Sequence, residues 1–531
     1  MSRITTDLPD DPAALRRFAS GLQHDLVVLE ATVQAQTLLV EKLKHQLALL
    51  RRARFGRSSE KLDAQVEQLE LLIGDIEESA AEAQARMARS AAPVLVAVER
   101  KPSVRMPLPS HLPTETIMHE APCVCPNCGG TAFGRIGADE REVLEYVPAR
   151  FRRILHIRPK MTCRACETIL QAPMPSLPIE KGRPGPGLLA HVVVSKFCDH
   201  LPLYRQSEIY GREGVTIDRS VMAGWMGHVA ALLAPLAERI GRHVRAGPAI
   251  HADDTTVPVL DPGRGKTKTG RLWVAVRDER GFGSMAPRAA VYLYSPDRTA
   301  QHAHALLKGC RGHLHADGYT GFGKLYEPDP LTGAPASLIE VACWSHARRK
   351  IYDVHVTTAS PAAERALALI GDLFAVETII RGRPPAERQR ARAERSTPIL
   401  DTLKVHLEAT LTRISGKSPF AKAIRYATSR WPALTRFVGD GSLEPSNNAA
   451  ERAIRPLTLG RKNYLFAGSD EGGRRAATFY TLISTARLNG VDPQAWLTDV
   501  IGRIADHPMS RLDDLLPWTW TASRPPQAQA A

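Results

Sequence analysis

Two short phrases constrain the fold of this chain more than any other feature. Ile250-His251-Ala252-Asp253-Asp254-Thr255-Thr256 and His315-Ala316-Asp317-Gly318-Tyr319 each set a carboxylate at the end of a run that reads as a strand. Alternate residues of a strand share a face, so Asp253 and Asp254 point to opposite sides of a sheet. The repeated His-Ala-Asp selects Asp253 as the counterpart of Asp317 and leaves Asp254 as a supporting or structural acid. Hard divalent cations take oxygen ligands, and a third acid would complete a site for a pair of them. Glu451, in Ser446-Asn447-Asn448-Ala449-Ala450-Glu451-Arg452, sits near the start of a predicted helix that Ser446 is placed to cap. Asn448 and Asn447 lie three and four residues ahead of it on the same face. Spacing alone reads Glu451 equally well as the partner of Arg455 in an i, i+4 pair.

A length of 531 residues exceeds one core and predicts roughly three to five domains. Hydrophobic residues at 44% and charged residues at 24% are the balance of a soluble globular protein. A net charge of +14 favours a polyanionic partner, nucleic acid among them. No apolar run approaches the roughly 18 residues of a membrane span, and Met1 to Asp11 lacks the apolar core of a signal peptide. The expectation is a cytoplasmic protein without membrane contact, whose eight cysteines are reduced thiols or metal ligands.

Residues 1–90 read as helical. Leu22, Leu29, Leu43 and Leu50, with Gln36 as the polar exception, fill one heptad seam, and Leu26, Val33, Val40 and Leu47 fill the other. A coiled coil and a single amphipathic helix both satisfy this pattern. Residues 91–118 are a proline-punctuated linker. In 119–174, Cys125 and Cys128 pair with Cys163 and Cys166 as two C-x-x-C turns that suit structural zinc, with a β-hairpin predicted between them and Cys123 left over. That hairpin carries Arg150, Arg152, Arg153, Arg158 and Lys160.

Residues 185–246 are predicted as three short helices, Leu188 to Cys198, Leu203 to Tyr210 and Ser220 to Val229. The glycine turn before Asp218 gives the last two a helix-turn-helix pattern, with Val215 and Ile217 buried and Asp218 as cap. A small bundle that never touches DNA uses the same grammar. Residues 247–473 then run three strands, a helix and a strand, the order of a ribonuclease-H-like α/β core, with a helical insertion at about 355–440. A helical segment at 474–522 and a disordered tail at 523–531 follow. Cys343-Trp344-Ser345-His346 reads either as a metal pair or as part of a site wall. Gly265-Lys266-Thr267 is no phosphate loop, because Leu260 stands where the first glycine is required.

Taken in order, several stretches resemble the transposases of the insertion-sequence-66 family, which are DDE transposases. They are Arg54-Phe55-Gly56-Arg57-Ser58-Ser59-Glu60-Lys61, the four-cysteine ribbon, His251 to Thr255, Asp261 to Thr267, His315 to Tyr319, Cys343 to Arg349, Asn447 to Arg452 and Gly460 to Gly468. The resemblance spans roughly residues 20 to 520. It implies a leucine-zipper-like N-terminus, a zinc-binding domain, a ribonuclease-H-like core and Asp253, Asp317 and Glu451 as the catalytic triad. Asp254 departs from it, since the family usually has glutamate there. By the same resemblance the triad would hold two Mg2+ or Mn2+ ions and cut and join double-stranded DNA at terminal inverted repeats. Arg452, Arg455, Arg461, Lys462 and Arg474 would hold phosphates, with Asn448, His346 and Asp254 as supporting residues. A homo-oligomer, accessory proteins from the same element and a bacterial cytoplasmic or nucleoid location are implied as well.

Overall fold

The structure is a computed structural model that describes residues 151, 160–162, 169–171, 176–179, 182–261, 266–328 and 335–520. All but Phe151 belong to one of the two compact units of the chain, Ala35–Ala91 with His156–Ala531. The heptad region and the zinc cysteines Cys125, Cys128, Cys163 and Cys166 lie outside the described residues. Two short strands, β1 (Lys160–Thr162) and β2 (Ile169–Gln171), pair antiparallel on either side of the second C-x-x-C in sequence. The hairpin predicted between the two C-x-x-C pairs lies outside the described residues apart from Phe151, Lys160 and Met161.

A five-stranded sheet organises the rest. Its strands are β3 (Ala249–Asp261), β4 (Lys266–Arg277), β5 (Ala289–Ser295), β6 (Gly312–Ala316) and β7 (Leu338–Ala342), in the order β5-β4-β3-β6-β7. β3, β4 and β5 are antiparallel neighbours, whereas β6 and β7 run parallel to β3. β4 is buried without a break from Leu272 to Val276, as expected of a strand covered on both faces. Helix α4 (Ala300–Leu306) makes the crossover from β5 to β6. Gly312 opens β6 at φ 98°, where a Cβ would meet the Pro248 carbonyl oxygen at 2.3 Å. Only glycine fits this close approach, and the His313 N–H bonds that same carbonyl at 2.9 Å. The glycine therefore helps to set the register of β6 on β3.

The N-terminal helices are not a separate body. α1 (Pro186–Phe197), α2 (Leu203–Arg212) and α3 (Arg219–Arg245) share one hydrophobic core with the sheet. The third predicted helix was too short: α3 runs 27 residues, through Pro235. Its buried stripe (Met222, Met226, Val229, Leu233, Leu236, Ile240 and Val244) continues at helical spacing past the predicted end. Helix α3 is long and apolar enough to cross a bilayer by length and composition, yet that stripe lies in the core of the fold. Val215 and Ile217 are half-buried rather than buried, and Asp218 occupies the cap position without a side-chain capping bond.

After β7 come α5 (Trp344–Thr358), α6 (Pro361–Ile380), α7 (Pro385–Ala391), α8 (Thr397–Arg413), α9 (Pro419–Ser429) and α10 (Trp431–Gly439). They enclose a second core that includes Val341 and Ala342 of β7. A π-helical segment, Arg392–Ser396, separates α7 from α8. It turns Arg392 inward, where Glu377 accepts two bonds (2.7 and 2.6 Å) and the carbonyls of Phe437, Asp440 and Leu443 accept others. Arg388 joins Glu377 and Glu444 in the same buried network.

The chain then returns to the sheet through α11 (Asn448–Gly460), α12 (Asp470–Leu488) and α13 (Pro493–Arg503). α12 runs unbroken across position 474, and its threonines close the β5 edge. Thr481 Oγ1 accepts the Tyr292 N–H at 3.0 Å, and Thr485 Oγ1 both accepts from and donates to Ala290 at 3.2 Å. At the other edge, Arg436 donates to the Glu340 carbonyl of β7.

Candidate active site

The sheet brings the two His-Ala-Asp phrases side by side. His251 on β3 is the parallel partner of His315 on β6; Asp253 follows two residues further along β3, and Asp317 is the first residue beyond the end of β6. Adjacent strands lie about 4.8 Å apart. Asp253 Oδ1 accepts the Asp254 N–H at 2.8 Å, and Asp317 Oδ1 accepts the Tyr319 N–H at 3.0 Å. Glu451 enters on the first turns of α11. Burial raises the Asp253 pKa well above the usual carboxylate range, and the charges of Asp317 and Glu451 push it the same way.

Asp254 faces elsewhere and is held by two arginines: Arg271 donates to Oδ2 at 2.7 Å, and Arg298 donates to Oδ1 at 2.8 Å. Its side chain is 2% exposed. The period of the strand thus separates two consecutive acids into two environments.

The N-terminus of α11 is stapled to the N-terminus of α5. The Trp344 N–H donates to the Pro445 carbonyl at 2.9 Å, the Asn447 N–H to Cys343 Sγ at 3.2 Å, and Ser345 Oγ to Asn448 Oδ1 at 3.2 Å. The cap residue of α11 is Asn447 rather than Ser446, and it makes no side-chain cap bond. Its amide donates instead to the Ala252 carbonyl at 2.9 Å, which ties α11 to the strand of Asp253. His346 Nδ1 lies 3.5 Å from Glu451 Oε1. Burial alone would lower the His346 pKa, but the Cys343 sulfur and the Glu451 and Asp253 carboxylates raise it to about 10. Cys343, His346 and Glu451 offer ligand atoms within 4.8 Å of one another.

The donor chemistry of the trio fits hard divalent cations: three carboxylates supply the oxygens, and Glu451 Oε1 is buried without a hydrogen-bond partner. The electrostatics fit as well, because a cation relieves the repulsion that raises Asp253.

The predicted phosphate-holding residues fall in unequal settings. Arg452 and Arg455 stand on α11 beside Glu451, the first exposed and the second half-buried, and Lys462 is exposed beyond the helix. Arg461 is engaged structurally, donating to Thr256 Oγ1 at 2.7 Å and to the Thr256 carbonyl. Arg474 pairs with Glu471 at 2.9 Å on the surface of α12. His251 and His315 were read only as part of the repeated phrase and Asn447 only as a neighbour of Glu451 on one helix face; their bonding roles were not read.

Residues 181–475 match the family described as Transposase IS66 family, and residues 481–518 match the IS66 C-terminal element. Residues 42–117 match Transposase C of IS166 homeodomain. Residues 122–167, which hold Cys125, Cys128, Cys163 and Cys166, match the zinc-finger binding domain of transposase IS66. Three proteins of Sinorhizobium fredii (strain NBRC 101917 / NGR234) are similar along most of their length. Uncharacterized protein y4qI is 38% identical over 97% of this chain and 98% of its own. Uncharacterized proteins y4hP and y4jD are each 39% identical, over 92% and 79% of this chain and 89% and 83% of their own. A mixed α/β core with a helical insertion and a preceding zinc-finger domain is thus that of an insertion-sequence transposase. The chain belongs to the IS66 transposase family.

Proposed function

We propose that this transposase cuts DNA at the ends of its element and joins the freed ends to target DNA, with Asp253, Asp317 and Glu451 as catalytic and metal-binding residues. The observation that supports the reading is the pairing of His251 with His315 on adjoining parallel strands, each histidine two residues before its aspartate. The sheet order, with three antiparallel strands followed by two parallel ones and a long helical stretch before the third acid, supports a ribonuclease-H-like core. The trio would hold two Mg2+ or Mn2+ ions, which when bound activate the attacking hydroxyl and offset charge on the leaving oxygen.

The chain's own residues supply the frame for two in-line displacements. Water attacks phosphorus at the element end and the P–O3′ bond breaks, leaving a 3′-hydroxyl and a 5′-phosphate. That hydroxyl then attacks a target phosphodiester, so one such bond replaces another while the hydroxyl proton passes to solvent. Arg452 and Arg455 on α11, Lys462 just beyond it and Arg474 on α12 would position the backbone without reading bases. Arg461 holds the end of α11 on β3. The zinc ribbon, with α2 and α3, would recognise terminal inverted repeats. The N-terminal heptads would pair two copies, since joining two ends requires two sites, and accessory proteins encoded by the element would be further partners.

Purified protein incubated with labelled element ends, a plasmid and Mg2+ or Mn2+ should yield joined products. Cleaved ends without joining would make it a nuclease. Binding without cleavage would make it a DNA-binding regulator.

A further inference from the structure

We propose that His315 and Cys343 are positioning residues, which together hold the Glu444–Asn448 loop and through it the helix that carries Glu451. The proposal rests on the assignment of Glu451 to the acid trio.

The loop immediately precedes α11, so any shift in it moves Glu451. Two of its backbone N–H groups end on buried side chains. Glu444 donates to His315 Nε2 at 3.1 Å, and Asn447 donates to Cys343 Sγ at 3.2 Å. His315 and Cys343 are each 2% exposed, so water cannot take their place. The acceptors come from different sides of the site. His315 stands two residues before Asp317, and Cys343 opens the helix whose His346 lies against Glu451. A third bond, from Asn447 Nδ2 to the Ala252 carbonyl, reaches the residue before Asp253. The loop is thus gauged against both aspartate strands and against α5 at once. His251 stacks on His315 with ring centroids 4.2 Å apart, which fixes the plane in which Nε2 points. From the insertion, Arg388 holds the Glu444 carboxylate at 2.8 Å.

Residues of this kind orient the groups that hold a metal, and their loss lowers metal affinity or activity by about 10–100-fold. The test uses full-length, zinc-replete protein bound to element-end DNA. Three properties are measured: Mn2+ affinity by calorimetry, amide exchange of the 444–450 peptide, and the Mg2+ dependence of end cleavage. His315→Leu and Cys343→Ala should each weaken Mn2+ binding about tenfold, speed exchange in that peptide and raise the Mg2+ half-saturation, with end binding unchanged. His315→Gln, which keeps an acceptor at similar reach, should restore most of the loss.

Wild-type Mn2+ affinity and exchange in both variants would overturn the proposal. So would the loss of one bound zinc in Cys343→Ala, which would make Cys343 a ligand alongside His346 and Glu451. If His315→Leu fails to fold, Cys343→Ala carries the test, because its sulfur accepts a single loop N–H. Glu451→Gln separates the two readings. If it abolishes Mn2+ binding and cleavage while His315→Leu behaves as wild type, positioning alone fails. If it changes neither, Glu451 is no ligand and both readings fall.

Discussion

His251 and His315 lie face to face, 4.2 Å between ring centroids and 16° from parallel, directly behind the two aspartates. Burial lowers the His251 pKa to about 4 and takes His315 well below the ordinary histidine range, where His251 and His313 add to the effect. Both rings are therefore neutral near pH 7. A neutral pair adds no positive charge where carboxylates must attract cations, and it leaves His315 Nε2 with a lone pair for the Glu444 N–H.

Asp253→Asn and Glu451→Gln should each cut end cleavage by on the order of 10³, the equivalent of several kcal/mol of lost transition-state stabilisation. Binding to element ends should survive. Gel-shift and cleavage assays on the same preparations check this, and cleavage near the wild-type rate in either variant would count against the trio.

Asp254→Ala should act mainly on stability, because its charge is the smallest of the causes that raise Asp253. It leaves Arg271 and Arg298 without their shared anchor. The cost should be about 2 kcal/mol, below that of a fully buried pair because the arginines are partly exposed. Urea denaturation measures it.

Arg392→Ala should be costlier. The side chain is fully buried and bonds Glu377 and three carbonyls. Its removal leaves Glu377 with Arg388 alone and takes the donor from three carbonyls, at about 3–5 kcal/mol. A midpoint shift in urea equivalent to less than about 1 kcal/mol would show that the insertion reorganises around the gap.

Without added Mg2+ or Mn2+, stability should fall as pH rises from about 6.5 to about 10. His346 holds its proton to about 10 in the folded chain against 6.5 in its absence, and the raised Asp253 acts in the same direction. The native state then binds more protons than the unfolded state, so the stabilisation is complete below 6.5 and lost through 10. Melting temperatures of wild type and His346→Gln across this interval check the sign: wild type should lose more.

One zinc per chain is expected, and Cys128→Ser with Cys163→Ser should remove it. Metal analysis after gel filtration reads the result directly.

The sheet was legible in the sequence because β3 and β6 carry the same phrase, and a period of two assigns its acids to faces. Glu451 was not legible by spacing, since nothing local distinguishes it from the i, i+4 partner of Arg455. The helix predicted to end at Val229 was too short, because its apolar stripe continues through Leu233 and Leu236 on either side of Pro235. Arg388 and Arg392 are buried with nothing local in the sequence to mark them. Their acceptors at Glu377, Phe437, Asp440, Leu443 and Glu444 are distant in the chain, so their burial emerges only in the fold. The partners of Asn447 and Cys343 were not legible for the same reason: each bonds backbone groups a hundred or more residues away.

The treatment of the outer strands limits how copies of this protein can meet. Thr481 and Thr485 already answer backbone groups of β5, and Arg436 already answers one of β7. Rims dressed in this way make poor templates for a foreign strand. Two copies that meet should accordingly join and part without any exchange of β-structure between them.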